Sequence, residues 1–509
     1  MEGSLNRGAR IARNTLMLYV RMLFLMLVGL YTSRVVLEAL GETDLGIYTV
    51  VGGVVGMFTI ISGALNSAVQ RFITFEMGKG TGAQLNKVYS TSVTIQLILA
   101  AIVVALAEPA GLWFIRNEMT ISPERIPAAE SVLHFSLLSF VVNLMSVPQM
   151  ASITAHEKMS AYAYIGILDG LLRLGTALLI MHSGGERLVL YAALMALAVI
   201  IVRVTYGIYC RRHFEECRYR PVFDRRLIGE MFAFAGWNFV GVTSGVLRDQ
   251  GGNILVNIFS SPAVNAARGM AVQLNGAVQG FVTNFMTAVN PQITKSYASG
   301  DYQYMFSLVR RSSRMSFYLL LMLVLPLMLN TEVTLSIWLK DVPEHTRLFV
   351  QLFLIFALSE SLSNPMITAM LATGSIRNYQ LVVGGIQLLN IPVSYAFLTM
   401  GAGPEVTVMV AVALSQVCLF ARLVMLNRST GFPIREFLSR VYLKAVFVVL
   451  PCAASVPILF EKIKPSGVYG MLASVAVCVI WAAALIYIIG MDRDERNMVR
   501  GLLTKRRGE

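Results

Sequence analysis

The sequence predicts an all-α integral membrane protein with fourteen transmembrane helices. Two observations support this fold class: the composition of the whole chain and the recurrence of long apolar runs along it. The chain has 509 residues, of which 56% are hydrophobic and only 14% are charged, and its mean hydropathy is +0.65. Soluble domains contain about 25% charged residues, so a soluble fold is excluded.

Each apolar run is long enough to cross a membrane, because about 20 helical residues span roughly 30 Å of hydrocarbon. Polar residues interrupt the seventh and eighth runs more than the others. The first run is expected to stay as an anchor, since it is too long for a signal-peptide core and no small-residue cleavage site follows it. The predicted spans are 14–37, 45–69, 88–114, 131–153, 160–181, 188–209, 231–258, 263–290, 312–334, 348–371, 378–400, 405–426, 441–460 and 468–490.

Positive charges alternate with the predicted spans. With the N-terminus inside, 30 of the 42 lysines and arginines are counted with inner segments, seven with outer loops and five within spans. The inner count includes four residues that lie inside predicted spans: Arg203, Arg314, Arg422 and Lys444. Loops that stay in the cytoplasm retain positive charge, so the pattern predicts that both termini are cytoplasmic. It also explains the net charge of +13 without nucleic acid as a partner. A basic inner face favours anionic membrane lipid instead.

The second half of the sequence repeats the layout of the first. Residues 33–80 and 252–300 both contain a short outer turn followed by a helix that carries glycine and polar residues. This repeat predicts two pseudo-symmetric six-helix lobes, related by an axis along the membrane normal, plus two C-terminal helices. The predicted domains are an N-terminal lobe at 1–210, a cytoplasmic linker at 211–230, a C-terminal lobe at 231–430, and the last two helices with a cytoplasmic tail at 431–509.

Motifs for ATP hydrolysis and for familiar hydrolytic sites are missing from the sequence. It contains no G-x-x-x-x-G-K-[ST] loop and no H-E-x-x-H or G-x-S-x-G motif. Cys210, His213 and Cys217 lack a second pair of ligands at the spacing of a zinc site. We therefore expect neither a cofactor nor a metal, and a transporter rather than an enzyme. A membrane polymerase or glycosyltransferase is the rival class, and the short outer loops argue against it.

Arginines at mid-depth are the first candidates for a functional site. An ionisable side chain at the bilayer centre costs upward of about 2.5 kcal/mol, so the ones that remain usually face a cavity or a partner. Arg21 in the first span and Arg268 in the eighth have no acid one turn away, which favours cavity lining. In the seventh span Arg248 stands directly beside Asp249. These arginines are predicted to contact an anionic substrate.

Uncharged polar residues follow helical spacing in the second and eighth spans, so each set shares one helix face. The members expected to contact substrate are Asn66, Gln70, Asn275 and Gln279. Asn and Gln in membrane helices also hydrogen-bond to neighbouring helices, and this structural interpretation carries equal weight. The functional interpretation is a hydrophilic cavity between the two halves.

Three further residues are candidates for ion coupling: His134, Asp249 and Glu360. A carboxyl group in an apolar site is pushed towards its neutral form, and histidine titrates near physiological pH. Each of them is more often structural than functional. Asp169 and Arg173 stand at i and i+4 and are predicted to form an ion pair.

The residues around the first outer turn resemble a known family signature. They are Asn14-Thr15-Leu16, then Ser33-Arg34-x-x-Leu37-x-x-Leu40-Gly41-x-x-Asp44-x-Gly46-Ile47-Tyr48, and finally Gln70-Arg71-Phe72. This pattern resembles the N-terminal signature of bacterial polysaccharide-biosynthesis membrane proteins. These are the O-antigen and capsule repeat-unit flippases of the multidrug/oligosaccharidyl-lipid/polysaccharide (MOP) exporter superfamily.

The resemblance implies a fold like that of multidrug (MATE) transporters, in which two lobes form a V and give alternating access. It implies a flippase that moves undecaprenyl-diphosphate-linked oligosaccharide to the outer leaflet of the bacterial inner membrane. Polysaccharide polymerase and glycosyltransferases would then be protein partners.

The same resemblance leaves two alternatives open. Related lipid II flippases use arginines on helices 1 and 8, and Arg21 and Arg268 occupy similar helices here. Cation-coupled multidrug efflux antiporters instead place an acid in helix 1 or 7, and in this sequence only Asp249 fits that position.

Overall fold

The computed structural model describes residues 2–80, 82–339, 342–463, 467–492 and 495–496, and every regular element in this part of the chain is a helix. Most of the predicted cytoplasmic tail lies outside the described residues. The helices are α1 Glu2–Gly56, α2 Thr59–Lys79, α3 Gly82–Asn117, α4 Ile126–Ala155, α5 Met159–Met181, α6 Arg187–His213, α7 Arg225–Phe259, α8 Pro262–Ala298, α9 Tyr302–Leu329, α10 Thr331–Trp338, α11 Thr346–Thr373, α12 Arg377–Leu388, α13 Asn390–Thr399, α14 Val406–Thr430, α15 Ile434–Phe437, α16 Leu443–Ile463 and α17 Gly467–Leu485.

A sharp kink divides α1 between the first two predicted spans. Gly41 has a φ of +74°, a left-handed conformation that glycine adopts without steric cost. Two arginines from other parts of the chain hold the kink on either side. Arg125 lies 3.3 Å from the carboxylate of Asp44, and Arg187 donates to the Ala39 carbonyl at 3.1 Å. The glycine and the aspartate of the family signature therefore shape this turn.

Eleven of the described helices are long and apolar enough to cross a membrane. This confirms an all-α, multi-pass membrane protein, but it does not confirm the predicted count of fourteen spans. The helices α2, α7 and α8, which carry polar side chains, are not among these eleven. With 35 and 37 residues, α7 and α8 are nevertheless long enough to cross the hydrocarbon.

Contacts divide the chain into two units. Unit 1 comprises Met1–Val242 and Thr287–Gly300, and unit 2 comprises Thr243–Met286 and Asp301–Glu509. The boundaries fall inside α7 and α8, so α8 begins in unit 2 and ends in unit 1. The predicted lobes and linker stay a prediction.

A buried carboxylate holds several segments of unit 1 together. Glu157, between α4 and α5, has a φ of +57° and a side chain that is 6% exposed. Its carboxylate contacts Arg10 at 2.8 Å, Gln292 at 3.1 Å and Lys295 at 3.2 Å. Asn14 donates to its carbonyl at 3.3 Å. This cluster fixes the start of α1 and the end of α8 against the α4–α5 turn.

The segment that corresponds to the predicted linker is attached to α3. Asn86 donates to the carbonyls of Glu216 and Arg218, both at 2.8 Å. Lys87 forms an ion pair with Asp224 at 2.5 Å. This ammonium group and the backbone N–H groups of the following residues hold the pKa of Asp224 below its ordinary value. The segment is therefore ordered on the surface of unit 1.

In unit 2, α11 packs between α9 and α14, and α17 packs on α9. The residues after α17 return to α9 through an ion-pair cluster. Arg314, whose side chain is 3% exposed, lies 2.8 Å from Asp492 and 2.5 Å from Glu495. Lys444 of α16 contacts the same Asp492 at 2.5 Å. These contacts join α9, α16 and the segment that follows α17.

Candidate functional site

Arg268 of α8 is a buried arginine whose hydrogen bonds to the described residues go to neutral groups. Its residue exposure is 6%. Nη2 donates to the Asp249 carbonyl at 3.0 Å, and Nη1 donates to the Asn253 side chain at 3.4 Å. Among the described residues, Nε has no hydrogen-bond partner and no carboxylate lies within salt-bridge distance of the guanidinium. Its hydrogen bonds therefore go to neutral acceptors, while the Asp249 carboxylate acts on its charge from beyond salt-bridge distance.

Arg248 of α7 lies beside the same segment. Its Nε is 2.9 Å from Oδ1 of Asp249, and the arginine side chain is 13% exposed while that of the aspartate is 55% exposed. Aromatic rings of α11 support both arginines. The Arg248 guanidinium lies 4.8 Å from the centre of the Phe356 ring, and that of Arg268 lies 5.7 Å from the centre of the Phe353 ring. Such contacts stabilise a cation away from bulk water.

A third arginine, Arg422 of α14, pairs with an acid one turn further along α11. Glu360 follows Phe353 and Phe356 at spacings that share one face of the helix, and its carboxylate is 3.5 Å from Arg422 of α14. The side chain of Arg422 is 2% exposed, and Tyr379 of α12 lies beside it.

These three arginines, Arg268, Arg248 and Arg422, form what we call the arginine row. Two carboxylates, Asp249 and Glu360, accompany the three guanidinium groups, so the row carries excess positive charge. Guanidinium groups bind phosphate oxygens in a planar, bidentate geometry. The chemistry of the row therefore suits an anion that carries phosphate.

Arg422 is a site residue that the sequence did not predict. The charge count placed it in an inner segment, whereas the structure places it inside α14 and buries it against Glu360. The missed signal was its position within the predicted span 405–426. The ion pair also gives Glu360, a candidate for proton coupling, a cationic partner.

Arg21 belongs to unit 1 and lies at the contact between α1 and α5. Its guanidinium is 4.5 Å from the centre of the Tyr162 ring, and its Nε has no hydrogen-bond partner in the described part of the chain. A Cβ atom at Gly166 would lie 2.0 Å from this Nε, so glycine makes room for the arginine. One turn further along α5, Asp169 and Arg173 form the predicted ion pair at 3.1 Å.

The remaining candidates are spread over both units. Asn66 and Gln70 are half-buried on α2 in unit 1, and Asn275 and Gln279 are half-buried on α8 in unit 2. The Asn275 Oδ1 atom is buried and has no hydrogen-bond partner within the described residues. His134 is exposed on α4.

The exposed ring of His134 has an acidic neighbour. Its Nε2 atom is 3.3 Å from Glu108 of α3, and the two side chains are 52% and 41% exposed. The structure thus brings together Arg248, Asp249 and Arg268, while it places His134 in a separate surface pair.

The helical architecture defines a membrane protein with the fold of MATE transporters. A MATE transporter crystallised in a bent conformation matches with a TM-score of 0.72 and 11% identity, over 84% of this chain and 98% of that chain. A mutant of the Vibrio cholerae MATE transporter VcmN matches with a TM-score of 0.70 and 14% identity, over 84% and 98%. A MOP superfamily transporter from Pyrococcus furiosus matches with a TM-score of 0.69 and 11% identity, over 84% and 96%.

The chain belongs to the polysaccharide biosynthesis protein family, whose model matches residues 11–297. This confirms the resemblance seen in the sequence. No curated protein matches the chain. At the identities of the solved structures, their similarity shows the fold alone.

Proposed function

We propose that this protein is a flippase that moves undecaprenyl-diphosphate-linked oligosaccharide from the cytoplasmic to the outer leaflet for polysaccharide biosynthesis. The diphosphate and the sugars cannot cross hydrocarbon unaided, because each unsatisfied polar group there costs several kcal/mol. The family match supports a role in polysaccharide biosynthesis, and the fold supports a transporter. The isoprenoid tail would stay in the bilayer while the polar head passes through the protein.

The observation that carries this proposal is the burial of Arg268, which forms no salt bridge within the described residues while the nearby Asp249 carboxylate is paired with Arg248. A buried charge is costly unless it is paired, so a protein that retains one usually has a functional need for it. A diphosphate would supply the missing counter-charge. In unit 1, the Arg21 guanidinium likewise forms no salt bridge with any residue that the structure describes. Asn66, Gln70, Asn275 and Gln279 are the proposed contacts for sugar hydroxyls.

The setting of this function is also a proposal. The alternation of positive charge supports both termini in the cytoplasm. The family match supports a location in the bacterial inner membrane, where such polysaccharide flippases would act. The enzymes that make and use the cargo, glycosyltransferases and a polysaccharide polymerase, are the proposed protein partners. Anionic membrane lipid would contact the basic inner face.

Multidrug antiport is the main alternative, because the solved structures with this fold include MATE transporters. Asp249 would have to bind the cation in that case. Its carboxylate is already paired with Arg248 at 2.9 Å and lies beside a second arginine, which weakens a site for cations. For the Pyrococcus furiosus transporter, a reversed polarity of the binding pocket is described as suggesting a different function. The positive arginine row is consistent with a similar departure here.

Reconstitution tests the proposed function directly. Vesicles containing the purified protein and a lipid-linked oligosaccharide with a fluorescent sugar are treated with a reductant that cannot cross the membrane. We expect the inner-leaflet fluorescence to become accessible only when the protein is present. Lipid II is assayed in parallel, and faster movement of lipid II would favour that alternative. Absence of movement for both lipids, with lower accumulation of organic cations in expressing cells, would support multidrug efflux.

Gly166→Ala should impair transport by displacing Arg21. The new Cβ atom would lie 2.0 Å from Nε, the flexible end of the arginine, so the side chain moves while the backbone stays in place. Misplacement of a binding group by about 1 Å costs up to about 100-fold, and we expect about a tenfold lower transport rate. Thermal melting should stay close to wild type, because alanine favours the helix. Gly175→Ala, in open space on the same helix, is the control. Equal rates for both variants would contradict a role for Arg21.

A further inference from the structure

Asp249 connects the two arginines of α7 and α8. Its carboxylate contacts Arg248 at 2.9 Å, and its backbone carbonyl accepts a hydrogen bond from Arg268 at 3.0 Å. The aspartate side chain is 55% exposed, whereas the side chain of Arg248 is only 13% exposed. An accessible carboxylate thus occupies one edge of a half-buried guanidinium. This is the edge at which an oxyanion from solution would otherwise bind.

We propose that the Asp249 carboxylate is an internal competitor for the anionic cargo, and that a bound diphosphate displaces it from Arg248. This inference rests on the proposed function and defines the regulation of the same site. A carboxylate and a phosphate both accept charge-assisted hydrogen bonds from guanidinium, so they compete for the same donors. The contact to Arg268 uses the backbone carbonyl and does not depend on the aspartate charge.

Displacement of the Asp249 carboxylate couples the binding of the anion to the binding of a proton. The released carboxylate lies next to a diphosphate, and a like charge at short distance favours the protonated acid. Each bound diphosphate therefore promotes uptake of a proton at Asp249. By reciprocity, a lower pH strengthens diphosphate binding. A carboxylate that binds a cation behaves in the opposite way, since protonation expels the cation.

The neighbouring charges are compatible with this role. Within the described ranges, the charged groups shown to act on Asp249 are Arg248 on its own helix and Arg268 of α8. The α11 helix presents Phe353 and Phe356 to these two arginines. The next acid on that helix is paired with Arg422 of α14 and is not the partner of either arginine.

Binding of farnesyl diphosphate to the full-length protein in detergent tests the inference. Isothermal titration calorimetry between about pH 5.5 and 7.5 compares wild type with Asp249→Asn. We expect wild type to bind about fivefold more tightly at the lower pH than at the higher. The Asp249→Asn variant should bind at least as tightly as wild type at every pH. Its affinity should depend less on pH, because only the ligand's own protonation remains. In two buffers of different ionisation enthalpy, proton uptake should appear in wild type and shrink in the variant.

Asp169→Asn is the matched control, because this acid also pairs with an arginine on a helix but lies in unit 1. It should bind and titrate like wild type. Weaker binding by Asp249→Asn, or the same pH dependence in Asp249→Asn and wild type, would overturn the internal competitor. If neither wild type nor Asp249→Asn binds farnesyl diphosphate at any pH, both the internal competitor and the proposed anionic cargo are wrong.

Discussion

Replacing Arg268 with alanine is expected to lower the rate of glycan-lipid transport by about 10- to 150-fold. This range corresponds to the loss of one charge-assisted hydrogen bond worth about 1.5–3 kcal/mol. The variant should remain folded, because the guanidinium is bound by a backbone carbonyl and an amide and no carboxylate would be left without its partner. Transport in reconstituted vesicles gives the rate, and thermal melting in detergent reports the fold.

Two further variants separate charge from geometry in this experiment. Arg268→Lys keeps the positive charge but loses the planar fork of donors, so it should retain only part of the activity. Arg173→Ala removes an arginine that is paired with Asp169 and is 45% exposed, and it should transport within about twofold of wild type. Equal rates for wild type and Arg268→Ala would contradict a role for the buried charge in cargo binding.

Composition and charge pattern predicted the fold class because both follow from the membrane as solvent. Apolar length marks helices that cross hydrocarbon, and the distribution of arginine and lysine orients them. The same signal weakens where helices carry polar faces, as in α2, α7 and α8. The polar residues that interrupt a helix are thus both the candidates for its function and the reason that its span is harder to recognise. The turn at Gly41 adds to the difficulty, since only this kink separates the first predicted span from the start of the second within α1.

The candidate site was only partly visible in the sequence. Arg248, Asp249 and Arg268 could be found, because charged residues stand out in apolar segments. Phe353 and Phe356 could not, because phenylalanine in a membrane helix is equally suited to lipid, to the protein core or to an arginine. Only the packing of α11 in unit 2 brings their rings to the guanidinium groups.

Arg422→Met is expected to cause the largest loss of stability. The substitution removes the partner of Glu360, whose side chain is only 17% exposed. Leaving one member of a buried ion pair uncompensated costs about 3–5 kcal/mol, which corresponds to a fall in melting temperature of about 5 °C or more. Methionine is a flexible side chain of similar length, so little of this loss should come from a cavity. Arg428→Met, at an exposed position of the same helix, is the control and should melt like wild type.

The double variant Arg422→Met with Glu360→Gln distinguishes an ion pair from a coupling site. If the pair is structural, removal of both charges should restore most of the lost stability, since no unpaired charge remains. Glu360→Gln alone should then destabilise the protein by leaving Arg422 uncompensated. The coupling hypothesis for Glu360 predicts a different pattern, in which Glu360→Gln melts like wild type and transport loses its dependence on pH. Because Arg422 is almost fully buried against Glu360, we expect the structural pattern. Proton linkage at the arginine row would then reside at the exposed Asp249 and not at the buried pair.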